Sequence, residues 1–368
     1  MSLDLSIFNP SVFPFVHYDG YPDGYPTTST LAMTSADVAQ LDAVAAESWR
    51  TMTELTSTIA DDQLAVATML GDKFAGLISS QPANSQPSVI ARLDFLKTLD
   101  GEFKLIEVNA DTPTAIIESF YGNRVACESL GLTDVNAGYV DHLRSVLRRF
   151  EGPVAFAAER AYPEEFATAK FLANLAGSDL VVDLADVRVF DDHVGVRLNG
   201  EVKPVKSLYL LHPKEWLVSD VDVHGYPTGR KLLELSASGR VNLINPNQAL
   251  LMQHKGLLAI ASAVAPHLTP LTRIHPLDRR QVRKPVFGRE GFGVTIHPAG
   301  DVTGDGVAVY QEFLPTAKVD VETELDRRSG WLTYSKFVID GKVSATYVRF
   351  SPDLICALDA YWVPVNLT

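Results

Sequence analysis

The sequence predicts a mixed protein of α+β and α/β character, in which antiparallel sheets are arranged in three successive lobes. Three observations carry that prediction. Asp100-Gly101 and Asp340-Gly341 each join two runs of alternating apolar and polar residues, the pattern of an antiparallel hairpin, because a tight primed turn needs φ > 0 at its centre. Residues 154–183 read as strand, helix, strand, and from residue 282 short alternating strands dominate. At 368 residues the chain exceeds the usual single-domain size, and Gly152-Pro153 and Asn245-Pro246 divide it into lobes over residues 1–150, 151–244 and 245–368.

Taken in order, residues 1–30 are rich in Pro, Gly and aromatic side chains, His17 to Pro26 above all, and predict turns pinned by ring contacts. Thr34-Ser35-Ala36-Asp37 opens a helix with Val38, Leu41, Val44 and Ala45 at helical spacing up to Trp49. A second helix begins at Asp61-Asp62 and ends near Gly76. Thr112-Pro113-Thr114 opens another over Ala115 to Tyr121, with Thr as cap and Pro in the first turn, and a helical run over Val140 to Phe150 follows. The central lobe reads as strand Val154 to Ala157, helix Pro163 to Ala176, strand Leu180 to Asp183, hairpins over Val187 to Leu198 and a strand at Leu208 to Leu211. The last lobe opens with one helix over Gln248 to Val264 carrying Lys255-Gly256, then strands at Val282 to Phe287, Val307 to Phe313, Leu332 to Ile339 and Val343 to Phe350.

The hairpin around Asp100-Gly101 is where chemistry concentrates. With a two-residue turn, residues whose numbers add to 201 face each other, which sets Asp94 against Glu107 and Arg92 against Asn109. Those four share one face, while Leu93, Phe95, Ile106 and Val108 line the other. Directly opposed carboxylates repel, and a bound cation removes the cost. Oxygen ligands at this density suit Mg²⁺, which is held by one or two carboxylates together with substrate phosphates. A solvated polar face with an incidental acidic pair is the other reading.

Lys+Arg 32 against Asp+Glu 45 gives a net charge of −13, which argues against a general nucleic-acid binder. No apolar run approaches a membrane span, and no basic leader with an apolar segment opens the chain, so a cytoplasmic setting is the expectation. Cys127 and Cys356 are too few for a disulfide framework. His17, His212, His224 and His254 lack metal-ligand spacing, and neither G-x-G-x-x-G nor a Walker loop occurs. Lys284-Pro285-Val286-Phe287-Gly288-Arg289-Glu290-Gly291-Phe292-Gly293 offers something different: three glycines free the backbone to present N–H groups to an anion, with charge from Lys284 and Arg289. It reads either as a flap over a triphosphate or as a plain tight turn.

Arg92-x-Asp94, Glu107-x-Asn109-Ala110-Asp111-Thr112-Pro113-Thr114, Asn245-Pro246 with Lys255-Gly256, Lys284-Pro285-x-x-Gly288-Arg289-Glu290-Gly291, Tyr310 to Phe313 and Arg349 occur in the order found in the glutathionylspermidine synthase-like ATP-grasp proteins. From Arg92 to Arg349 the chain resembles the synthetase domain of that family. The resemblance implies an ATP-grasp fold with a nucleotide cleft between lobes, ATP and Mg²⁺ as cofactors, and Asp94, Glu107 and Asn109 as metal ligands. It further implies that Lys255 and Lys284 hold ATP phosphates, that Gly288, Arg289 and Gly291 belong to a lid, and that the backbone at Gln311, Glu312 and Phe313 meets adenine. Arg92 and Arg349 then stabilise the transferring phosphoryl group, Thr112 and Thr114 stand near a peptide carboxylate, and Glu215 looks like an acidic site near the acceptor.

The activity so implied is an ATP-dependent C–N ligase, ADP-forming, that joins a small-molecule or peptide carboxylate to an amine or polyamine through an acyl phosphate. Glu215 or a metal-site carboxylate would take the amine's proton. Family members that also hydrolyse their product carry an amidase half with a nucleophilic cysteine, and this chain is too short for it. Thr-Pro-Thr replaces a serine-rich stretch, and Phe350 follows Arg349 where relatives place an acid, which leaves donor and acceptor open. The alternatives are a non-catalytic ATP- or peptide-binding module of the same fold and an ATP-dependent phosphotransferase.

Overall fold

The computed structural model describes residues 2–17, 23–78, 86–300, 302 and 304–368. The Asp100-Gly101 hairpin, strands Ile90–Lys97 and Phe103–Asn109, forms one edge of a six-stranded antiparallel sheet. Arg327–Ile339 pairs beside Ile90–Lys97, followed by Lys342–Ser351 and Tyr361–Trp362, and Val319–Glu322 also pairs with Arg327–Ile339. This sheet crosses the expected division between residues 1–150 and 245–368, since both supply its strands. Pairing of Leu31–Met33 with Val365–Leu367 ties the two regions together again.

The hairpin register is as expected where the polar residues lie, Arg92↔Asn109 and Asp94↔Glu107, but the turn is not a two-residue one. A longer loop closes it, with Thr98 N–H donating to the Glu102 carbonyl and Gly101 at φ 90°. Near that loop the pairs are Phe95↔Leu105 and Lys97↔Phe103. A bulge between the two regimes makes Ile106 the extra residue, so Ile106 faces the cleft and Leu105 takes the core position assigned to it. Leu93, Phe95, Leu105 and Val108 pack beneath the 26-residue helix Ser35–Ala60 through its Leu41, Ala45, Trp49 and Met52. Each fully buried side chain of this size contributes about 1.5–3 kcal/mol.

Thr34 caps that helix, its hydroxyl accepting from the Asp37 N–H at 3.1 Å, and Asp62 caps the next, Gln63–Leu70. In the N-terminal segment Phe8, Phe13, Phe15 and Tyr25 cluster with Trp362, the expected ring contacts; Tyr18 to Pro22 lie outside the described residues. The helix expected over Ala115 to Tyr121 departs from a plain α-helix. Ala115 sits at φ 69°, and Glu118–Gly122 forms a π turn before the α-helix Asn123–Leu130. A Cβ on Gly122 would lie 2.8 Å from Trp362, so only glycine lets that indole pack there.

A parallel four-stranded sheet occupies the centre in the order Asn242–Ile244, Ser207–Leu210, Val154–Ala158, Val181–Asp183, with helix Pro163–Ala176 on it. The last expected helix is two, Gln248–Gln253 and Gly256–Val264, because His254 leaves helical geometry at ψ 117°. At the break Lys255 N–H donates to the Val286 carbonyl, which turns its side chain toward the hairpin. The sheet of Thr272–Arg273, Ala308–Glu312, Gln281–Pro285 and Thr295–His297 closes the far side of the cleft. No helix among the described residues is long and apolar enough to cross a membrane.

Candidate active site

Asp94 is 1% exposed and fully engaged. Arg92 grips it with two bonds, Nε to Oδ1 at 2.8 Å and Nη2 to Oδ2 at 3.1 Å. Ser335, its ladder partner, donates to Oδ1 at 2.8 Å, and Asn109 and Arg349 each donate to Oδ2 at 3.1 Å. Arg92 also bonds the Thr114 carbonyl and hydroxyl. Burial alone would push the Asp94 carboxyl up, but Arg92 and Arg349 outweigh it and hold it below its ordinary value.

Glu107, across the ladder, pairs instead with Lys255 (2.9 Å), whose ammonium also donates to the Gly288 carbonyl at 2.6 Å. Lys284 donates to Gln311 Oε1 (2.7 Å) and to the carbonyl of the bulged Ile106 (3.0 Å). Burial raises Glu107, yet Lys255 and Lys284 bring it below the usual carboxylate value. Burial, aided by Lys255 and opposed by Glu107, takes Lys284 down to about 8. The repulsion anticipated between the two acids is thus relieved by side-chain cations. Asp94, Glu107, Lys255, Lys284, Gly288, Gly291, Gln311, Glu312, Phe313 and Arg349 all line one cavity. Lys255, Lys284 and Arg349 line it together with Asp94, Glu107, Glu312 and Asp353, Arg92 bonds Asp94 beside it, and Arg349 Nε is a buried donor with no protein acceptor. A spare buried guanidinium hydrogen next to two ammonium groups suits an anionic group.

The oxygens expected to hold a divalent ion share one face but are already engaged, Asp94 by Arg92, Ser335, Asn109 and Arg349 and Glu107 by Lys255, so an ion there would have to take the place of some of these contacts. Glu107 and Asn109 flank Asp94 on one face, too few for a protein-only cage and suited to an ion that completes its shell with phosphate oxygens and water. Among the described residues no cluster of three His, Cys, Asp or Glu side chains offers a cage of its own. In the stretch expected to meet adenine, the N–H groups of Glu312 and Phe313 bond the carbonyls of Leu271 and Arg280, so those donors are engaged within the protein.

Arg289 is not beside Lys284. Its guanidinium bonds Glu215 Oε1 (2.7 and 3.1 Å) and the Thr112 hydroxyl (2.9 Å), which brings the glycine loop, Thr112 and Glu215 into a second cluster. Glu215 Oε2 is buried without a partner. The sequence reading missed the clamp beneath this cluster. Asp111 and Lys214, both 2% exposed, form a buried ion pair, and the Lys214 N–H also donates to Asp111 Oδ2 at 2.9 Å. Each stands next to a predicted site residue, Thr112 or Glu215, but they are 103 positions apart and nothing local links them. Asn245 adds a second tie, bonding Val89, Ile90 and the Asp111 carbonyl at 2.8 Å.

The family description "Glutathionylspermidine synthase preATP-grasp" matches residues 12–368. The chain belongs to this family. A Haemophilus influenzae protein provisionally named an acid–amine ligase is 28% identical over 244 residues, which is 59% of this chain and 58% of that protein. The match thus spans less than two thirds of the curated relative. A glutathione synthetase-like effector from Globodera pallida, solved in its apo form, superposes with a TM-score of 0.59 over 93% of this chain and 90% of its own, at 9% identity. Family and superposition place the fold in the ATP-grasp type.

Proposed function

We propose that the protein is an ATP-dependent, ADP-forming carboxylate–amine ligase. The observation that carries this reading is the cavity in which Lys255, Lys284 and Arg349 converge on Asp94 and Glu107, with Arg92 bonded to Asp94 beside it, while Arg349 Nε keeps a buried, unused hydrogen. A site that only held adenine would not concentrate guanidinium groups at one end. Lys255 and Lys284 bind phosphate oxygens, and the glycine loop, already tied to Lys255 through Gly288, excludes water from above. Arg92, fixed by Asp94 and Thr114, and Arg349 face the γ-phosphoryl group as it passes to a substrate carboxylate oxygen. Asp94, Glu107 and Asn109 would hold Mg²⁺ in exchange for some of their present contacts with Arg349 and Lys255, and the ion would spread the phosphate charge.

In the first half the carboxylate oxygen bonds phosphorus and the ADP oxygen leaves. In the second the amine nitrogen bonds the acyl carbon, phosphate leaves, and the nitrogen releases a proton. Both Asp94 oxygens already accept from protein donors and Glu107 is held by Lys255, whereas Glu215 gives only Oε1 to Arg289. Glu215 Oε2, buried and unpartnered, is the oxygen we assign to that proton. Thr112, bonded to Arg289 beside Glu215, lies where the donor carboxylate meets the lid.

The test is incubation with ATP, Mg²⁺ and a panel of carboxylic acids, each with hydroxylamine or a set of amines, recording ADP and product mass. ADP with a hydroxamate or amide is the expected result. Bound ATP with no ADP across the panel would leave a nucleotide-binding module, and ADP with a stable phosphorylated acid would make it a phosphotransferase.

A further inference from the structure

Between helices Gln248–Gln253 and Gly256–Val264 sits a buried histidine with no part in the contacts of the carboxylate hairpin. His254 is 6% exposed, and its ring lies over the start of the second helix, where Nδ1 accepts the Gly256 N–H at 3.1 Å. Its carbonyl accepts the Leu257 N–H at 2.9 Å. The first N–H groups of a helix have no partner inside it, so His254 supplies two of the acceptors this helix needs. Lys255, which stands at the cap position, offers none from its side chain. A Cβ on Gly256 would lie 2.8 Å from Nδ1 and Cε1 of the ring, so imidazole and glycine fit there only as a pair.

The same ring reaches the root of the glycine loop. His254 meets Phe287 edge to face, with centroids 5.0 Å apart and planes at 78°. Lys255 N–H donates to the Val286 carbonyl at 3.1 Å, and Lys255 Nζ to the Gly288 carbonyl at 2.6 Å. Two consecutive residues of the break thus touch three consecutive residues of the loop, and the middle contact is the imidazole.

Lys255 is 3% exposed and also reaches Glu107 at 2.9 Å. Its ammonium rides on a flexible four-carbon stem, and keeping it at one point between Glu107 and Gly288 needs a backbone that does not swing. Accepting at Nδ1 leaves the proton of the neutral ring on Nε2. Burial and the Lys255 ammonium take the imidazole down to about 4, so the ring remains a neutral acceptor beside a cation.

We propose that His254 is a positioning residue for phosphate binding: by capping the helix after the break and packing on Phe287, it fixes both Lys255 and the root of the glycine loop at the phosphate end of the cavity. It touches no substrate itself. This role rests on the ligase reading only in taking the anion at Lys255 to be the triphosphate of ATP.

The experiment compares ATP and adenosine as ligands of the full chain by calorimetric titration, for the unmodified protein and for His254→Phe, His254→Asn and Gly256→Ala. Phenylalanine keeps a ring against Phe287 and loses the acceptor, asparagine keeps a short acceptor able to take an N–H two residues on, and alanine at 256 pushes the imidazole off the helix. The expected result is a roughly tenfold loss of ATP affinity in His254→Phe and Gly256→Ala, with adenosine affinity unchanged and His254→Asn within about threefold of the unmodified protein for both ligands. Loss of ATP and adenosine affinity in equal proportion would make His254 merely structural and overturn the inference, as would a His254→Phe protein that binds ATP as tightly as the unmodified one. Should His254→Phe not fold, undiminished ATP binding in Gly256→Ala overturns it equally. The ligase reading falls separately. ATP bound more tightly than adenosine, without ADP release for any acid, sinks the ligase and keeps the positioning role; ligation that His254→Phe leaves unchanged, in kcat and in KM for ATP, does the reverse.

Discussion

Asp94 and Glu118 are both buried carboxylates that feel the charge of Arg92, and they live under opposite electrostatic conditions. Asp94 has two guanidinium groups, a hydroxyl and an amide around it and is held below its ordinary pKa. Glu118 has a tyrosine hydroxyl and further glutamates, and burial takes it up to about 7. The first arrangement is complete in the protein alone and costs dearly to open. The second has no cationic side chain within ion-pair distance among the described residues. A buried charge with its partners present marks machinery.

The largest effect that can break this comparison is Asp94→Ala. It leaves Arg92 and Arg349 facing each other without a counter-charge, and removing one member of a buried charged cluster costs about 3–5 kcal/mol. Urea unfolding is expected to show that loss together with abolished ADP release. Glu118→Gln keeps an oxygen for the Tyr25 hydroxyl and removes no partnered charge, so its stability is expected to stay within about 1 kcal/mol of the unmodified protein. Equal losses in the two variants would erase the distinction.

Arg349→Met comes next. Its Nη2 positions Asp94, while its Nε is free for a phosphoryl oxygen. ADP release is expected to fall by about 10²–10³, the usual consequence of losing one transition-state donor. Arg289→Met acts at the other cluster, releasing Glu215 and Thr112 from the loop. There the expected change is mainly in KM for the acid, with the loop still held by the bond from Lys255 to Gly288. A fall in kcat equal to that of Arg349→Met would place Arg289 at the phosphoryl group after all.

Much of the first region was legible in the sequence because hairpin pairing is local: Arg92, Asp94, Glu107 and Asn109 lie within 18 residues, and period two decides which face they share. Even so, the expected register was reached through compensating differences. The turn is longer than two residues, and the bulge at Ile106 restores the pairing at Asp94 while sending Ile106 into the cleft, where its carbonyl holds Lys284. The second region was not legible. Glu118, Glu164 and Glu165 come from two distant stretches, and what sets them apart is a missing cation, which no local pattern records. The Asp111–Lys214 clamp was hidden for the same reason of distance.

The smallest effect sharpens the contrast most, because the two regions titrate with opposite sign. Asp94 and Glu107 have lowered pKa values, so the folded state binds fewer protons there than the unfolded chain, and their contribution to stability is lost only as pH falls below the ordinary carboxylate range. Glu118 and Glu165 at about 7 and Glu164 at about 8 bind protons more tightly folded than unfolded, and their contribution is lost as pH rises from about 5 through 8. The neighbours that modulate them are Glu159 and Glu290, which raise the values, and Arg92 and Arg289, which lower them. Unfolding free energy is therefore expected to fall between pH 5 and pH 8, read by urea titration at each pH. Above pH 8 the depressed value of Lys284 acts the other way, so the window must stop there. A stability that climbs steadily from pH 5 to pH 8 would show that these glutamates are ordinary solvated acids.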